Sequence, residues 1–214
     1  MSKDNKTEQM LIDNLHEDFA WRIKELSIIK SKIPSQQNEE QHALIRAGIT
    51  LLYAHWEGFI KNAAENYLNF VSLKGLNHNQ LQSCFVALCF KKQINELKTN
   101  KFELQQTLVD FMLNELNKRA YIPYEGIIDT KSNLKFWVFR DICIIIGVDY
   151  KKYQLKEKKI DADLVERRNK IAHGKYLLVD YDGYTDIYNI VVKMMEDMKN
   201  DILDAAMNEK YRKN

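Results

Sequence analysis

Arg168, Asn169 and His173 fall within six consecutive residues, RNKIAH, followed at once by Gly174. Each brings a different tool to phosphate chemistry. The planar fork of an arginine matches two phosphate oxygens and keeps its charge at any working pH. A histidine titrates near neutrality and can act as general base or acid, an effect worth roughly 10² to 10⁴ in rate. Asn169, four residues before His173 and so close to it on a helix, can orient the imidazole or hold the phosphate. Arg167 offers the same pattern at one residue more, but Arg168 is the better placed of the two.

Holding these groups requires a short helix. The stretch Asp161 to Gly174, DADLVERRNKIAHG, reads as one: Asp161 and Asp163 suit its start and Gly174 its end. At about 100° per residue, Ile160, Leu164, Val165, Ile171 and Ala172 form an apolar stripe, with Arg168 near its middle. A charge on a burying face costs several kcal/mol unless it is paired or lines a wet cleft. Arg168 therefore has either a salt-bridge partner, Glu57 being a candidate, or a task. His173 has a structural reading as well, because a helix C-terminus favours a cationic side chain.

A second stretch bears on the first. Leu51 to Lys61, LLYAHWEGFIK, resembles the signature of the bacterial MAE-like branch of the HEPN superfamily, and Arg168-Asn169 followed by His173 resembles that superfamily's R-x4-6-H motif. Together they extend the resemblance from about Leu11 to Met207. It implies a small helical bundle, in many members a metal-independent ribonuclease acting as a homodimer, in bacteria as toxin or antiviral effector under an inhibitory antitoxin or defence-system partner. RNA cleavage without metal uses the substrate's 2'-hydroxyl as nucleophile. On this reading His173 moves protons, Arg168 stabilises the phosphorane, and Asn169 assists. His173 of a facing subunit supplies the second proton handler. Glu57 is a candidate to support the pair from behind, and Arg167, Lys170 and Lys175 are candidates to hold the RNA backbone. No cofactor and no metal are called for. The pair His55-x-Glu57 lacks the P-C-x-x-C that zinc deaminases need, and His16, His42 and His78 have no partners at ligand spacing.

The rest of the chain reads as the frame. Its 214 residues, 45% hydrophobic, predict one domain over 1–214. Two prolines and seven glycines leave few breakers, so long antiparallel helices in an all-α bundle are expected. Apolar residues at Leu11, Leu15, Phe19, Ile23 and Leu26 predict a helix over 6–32, stopped by Pro34. Ile45, Ile49, Leu52, Trp56, Phe59, Ala63, Tyr67 and Phe70 predict a second, central helix, whose narrow polar sector holds Arg46, Thr50, Glu57 and Lys61. His55 and Trp56 read as core. Further helices are predicted over 81–92, 102–119 and 132–147, the last capped by Ser132 or Asn133. After Gly174, YLLVDYDGYT predicts a turn or short hairpin with Asp182-Gly183 at its tip, then a long final helix from Tyr184 to Ala205.

A formal charge of only +2 gives no global field toward a polyanion. Between Lys151 and Lys175, however, nine basic residues face four acidic ones, a local footprint for a phosphate backbone. Three cysteines without a CxxC spacing predict neither disulfides nor a thiolate metal site and fit a reducing cytoplasm. The polar start MSKDNKTEQM does not read as a signal peptide, and no apolar run approaches the ~20 residues that span a bilayer, so no membrane association is expected.

Overall fold

Pro34 has no amide hydrogen to give and Asn38 has a side-chain oxygen to offer, and between them they set the first joint of the fold. In the computed structural model, which describes residues 3–91 and 102–213, α1 runs Lys3–Lys32 and α2 runs Glu39–Leu73. Asn38 Oδ1 accepts from the Gln41 amide at 2.7 Å. Glu39 and Glu40 place negative charge in the first turn of α2, where the helix dipole favours it. The Gln41 side chain, almost fully buried, donates back to the Pro34 carbonyl at 2.8 Å and locks the joint.

The remaining helices are α3, Ser83–Cys89, α4, Phe102–Asn114, α5, Phe136–Ile145, α6, Arg167–Ala172, and α7, Tyr181–Met207. Among the described residues there is no β-strand, only isolated bridges joining Asn77 to Arg119 and Leu81 to Arg212. The fold is all-α, as the sequence predicts. The predicted 81–92 helix is shorter than expected, and its last residue, Lys92, lies outside the described residues.

α2 is the axis of the packing. α1 and α7 lie along it and touch each other, and α6 packs against it from another side. The predicted stripe of α2, from Ile45 to Phe70, is buried throughout, and so is the α7 stripe from Tyr184 to Ala205. Full burial of such side chains contributes about 1.5–3 kcal/mol each. At Gly48 the helices come so close that an added Cβ would stand 2.8 Å from the Tyr184 hydroxyl. Trp56 is fully buried, its ring beside Phe139 and its indole N–H aimed at the Leu134 carbonyl 3.4 Å away. Among the described residues no helix is long and apolar enough to cross a membrane. Cys84, Cys89 and Cys143 are free thiols, and burial raises the pKa of all three.

Three expectations are corrected. There is no hairpin after Gly174: residues 175–180 form an irregular link, and Asp182-Gly183 lies in the first turn of α7. Asp180 caps that helix, accepting from the Gly183 amide at 2.7 Å, so the residue types that make a tight turn here make a helix start. The motif helix does not begin at Asp161. A 3₁₀ turn, Lys151–Lys156, leads into a π-helical stretch, Lys159–Glu166, continuous with α6. Neither Ser132 nor Asn133 caps α5. Asp161 Oδ1 accepts from the Phe136 amide at 2.7 Å, so the motif segment itself closes the start of α5.

Asp161→Ala leaves the Phe136 amide without its acceptor and should lower stability by about 1 kcal/mol. Asp161→Asn retains an acceptor oxygen and should lose less. Urea denaturation midpoints of the two variants check this, and equal losses would contradict the capping role.

Candidate functional site

The polar sector of α2 supplies the floor of the site. Arg46, Tyr53 and Glu57 fall within about 40° of one another around the helix, so Tyr53 belongs to a sector otherwise made of polar side chains. α6 packs against that side of α2 and sets the Arg168 guanidinium carbon 3.8 Å from the centroid of the Tyr53 ring. Such a cation–π contact is worth about 0.5–2 kcal/mol, more as water is excluded. The ring is fixed at its far end. Its hydroxyl accepts from the buried Leu134 amide at 2.8 Å and donates to Glu57 Oε1 at 3.1 Å. Burial pushes the Tyr53 phenol up to about 12, so it keeps the proton it donates at neutral pH.

This arrangement answers why an arginine sits in an apolar stripe. Arg168 is half-buried, and among the described residues no carboxylate pairs with it. The candidate ion pair with Glu57 is not formed; Glu57 accepts instead from the hydroxyl of the ring beneath the guanidinium. Asn169 is bonded to Arg168, accepting from Nη1 on Oδ1 at 2.9 Å. Asn169 also lines an open groove of 720 Å³ bordered by Lys135 and Lys158 along with Glu157, Asp161 and Glu166.

The π stretch changes which residues face α2. A π turn takes in more residues than an α turn, so a stripe drawn at regular helical spacing drifts off the buried side. Ile160, Leu164 and Val165 are buried as expected, but Ile171 is half-buried and Ala172 is exposed. Beyond Ala172 the helix ends in a Schellman turn. The Gly174 amide reaches the Ile171 carbonyl at 3.0 Å and the Lys175 amide reaches that of Lys170 at 2.9 Å. Gly174 has φ +70°, a conformation that glycine adopts without steric cost. His173 is the capping residue of this turn, with its backbone fixed and its side chain exposed.

The cations divide into two groups. Arg167 pairs with Asp163 at 2.6 Å and Lys170 with Glu166 at 2.7 Å. Lys159 bridges Asp163 and Asp186, and Lys152 pairs with Asp201. Lys151, Lys156, Lys158 and Lys175 are exposed and form no ion pair among the described residues. Part of the local basic excess is thus neutralised from within.

His55 and Trp56 are buried, as read from the sequence. His55 Nε2 lies 2.6 Å from Glu25 Oε2, and Arg22 Nη1 lies 3.4 Å from Nδ1. Because the guanidinium can only donate, Nδ1 accepts and Nε2 carries the proton toward Glu25. Burial lowers the His55 pKa against the pull of that carboxylate. At Gly58 an added Cβ would stand 2.7 Å from Arg22 Nη1. His55 and Gly58 therefore form the seat on which α1 is clamped. Among the described residues no group of three or more His, Cys, Asp or Glu is placed to hold a metal ion.

The structure brings Arg168, Asn169, Tyr53 and Glu57 into one connected group and leaves His173 and Lys175 at the exposed end of the same segment. Tyr53 escapes the sequence reading, although an aromatic residue inside a narrow polar sector was a signal for it. Tyr53→Phe keeps the ring under the guanidinium but leaves the buried Leu134 amide unpaired, so stability should fall by about 1–3 kcal/mol. Chemical denaturation measures this. A loss near zero would mean that the hydroxyl does not anchor the ring.

Comparison with known proteins narrows the assignment. The family model described as RiboL-PSP-HEPN matches residues 17–204, a span that takes in α2, the Arg168-Asn169 pair, His173 and most of α7. No curated protein and no solved structure matches the chain. With an all-α fold and a family match over most of its length, the chain belongs to the RiboL-PSP-HEPN family.

Proposed function

We propose that the chain is a metal-independent endoribonuclease of the HEPN type, in the MAE-like nuclease branch, that cleaves RNA as a homodimer. The substrate 2'-oxygen attacks the adjacent phosphorus, the bond from phosphorus to the 5'-oxygen breaks, and a 2',3'-cyclic phosphate and a 5'-hydroxyl result. His173 takes the proton from the 2'-hydroxyl, and His173 of the second subunit gives one to the departing 5'-oxygen. Arg168 faces the charge that builds on the phosphorane. Asn169 keeps the guanidinium fork in plane, while Tyr53 and Glu57 hold it from behind. Lys175 attracts the RNA backbone; Arg167 and Lys170, each already paired with a carboxylate, contribute less. In a cell such an activity fits a toxin or antiviral effector restrained by an inhibitory partner protein.

The observation that carries this reading is the state of Arg168. It is steadied by an aromatic face and an amide oxygen, not by a carboxylate. A guanidinium held that way is fixed in direction and still has its full charge to offer a phosphate. A second reading, a non-catalytic RNA-binding or scaffolding domain, draws on the exposure of His173, whose side chain has no orienting partner among the described residues.

The purified protein should cut total RNA in EDTA and leave ends carrying 2',3'-cyclic phosphate. His173→Ala should lower the rate by roughly 10² to 10⁴. Products ending in 3'-hydroxyl, or equal cutting by both proteins, would contradict the nuclease reading. RNA binding without any cutting would select the scaffold.

A further inference from the structure

Two turns along α2 from Tyr53, a second arginine and tyrosine meet. The guanidinium carbon of Arg46 lies 5.8 Å from the centroid of the Tyr176 ring. Arg46 and Tyr53 are seven residues apart, so they share one side of the helix at a separation of about 10 Å. The same side of α2 therefore carries two arginine–tyrosine pairs in succession, with the exposed Thr50 between them. They differ in accessibility. Tyr53 is buried under Arg168, whereas Tyr176 is 67% exposed.

An exposed aromatic residue on an irregular link usually moves freely, but this one is anchored from both sides. Leu177 packs on the core and Val179 is buried, while Tyr176 and Leu178 alternate outward. On the other flank Lys175 is fixed by its amide bond to the Lys170 carbonyl. The ring thus projects beside the motif at low entropic cost, with a cation on one side and open space around the rest.

We infer that Tyr176, supported by Arg46, is a stacking platform for an unpaired base of single-stranded RNA, next to the phosphate that Arg168 and His173 face. Aromatic rings beside cations bind single-stranded nucleic acid because every base has a π face and every nucleotide a phosphate. Lys175, adjacent to the ring, meets the phosphate that joins the stacked base to its neighbour. The inference deepens the proposed ribonuclease function and rests on its assignment of RNA as ligand, but the two can fail separately.

The test uses fluorescence anisotropy of a labelled single-stranded RNA oligonucleotide with full-length His173→Ala protein, so that binding is read without chemistry. Adding Tyr176→Ala should weaken binding at least about five-fold, and Tyr176→Trp should retain it. Arg46→Gln should fall between them. A duplex RNA of the same sequence should be insensitive to all three changes, since its bases are not free to stack. Unchanged affinity for Tyr176→Ala, equal loss with Tyr176→Trp, or no binding of the oligonucleotide at all would overturn the platform. So would a Tyr176→Ala protein whose sedimentation changes while its RNA affinity does not, which would assign the ring to a contact between copies of the chain. If wild-type protein binds with this pattern yet cuts nothing, the platform stands and the nuclease reading falls.

Discussion

The contact on which the rest depends is that of the Arg168 guanidinium with the face of Tyr53. A positive charge on the packing side of a helix would normally demand a carboxylate, and a carboxylate would cancel the charge that a phosphate ligand needs. An aromatic ring removes that conflict: it steadies the cation through its quadrupole while contributing no net charge. The ring is in turn held by the Leu134 amide and Glu57. Three separate parts of the chain, α2, Leu134 two residues before α5, and α6, thereby fix one guanidinium.

The segment that carries Arg168 also ties the fold together. Asp161 caps α5, Asp163 holds Arg167 and Lys159, and Leu164 and Val165 enter the core. The π stretch lets these roles share a few residues, with Asp161 reaching α5 and Lys159 reaching Asp186 of α7 before the helix tightens at Arg167. His173 stands at the opposite limit. Its backbone is locked by a Schellman turn, yet its side chain meets solvent. One end of the segment is therefore rigid and the other accessible, a division consistent with the roles proposed for Arg168 and His173.

Much of the frame was legible from residue spacing. The α2 and α7 stripes repeat at helical period over many turns, a signal that single residues cannot blur, and Pro34 marks its boundary through covalent geometry alone. The spacing of Arg168, Asn169 and His173 marks them as candidates, but the sequence does not show what supports them. Tyr53 and Arg168 are far apart in the chain, and the capping of Phe136 by Asp161 spans 25 residues, so neither could be read from local pattern. The link after Gly174 misled for a different reason: Asp180 and Gly183 are residues of tight turns and of helix starts alike, and the packing of Val179 and Tyr184 decides between them. In the basic stretch four of the nine cations are paired, Arg167 and Lys170 with carboxylates of the same segment and Lys152 and Lys159 with carboxylates that reach back from α7, which the sequence spacing does not reveal.

The central claim is that Arg168 is positioned to act on a phosphate and is not a structural cation. Arg168→Lys separates the two, since an ammonium can still rest on Tyr53 but lacks the planar fork. The decisive measurement is the single-turnover rate of RNA cleavage by this variant, taken beside its urea denaturation curve. The account predicts a rate at least about 10²-fold below wild type with stability changed by no more than about 1 kcal/mol. A variant that cuts at the wild-type rate while losing several kcal/mol of stability would contradict it.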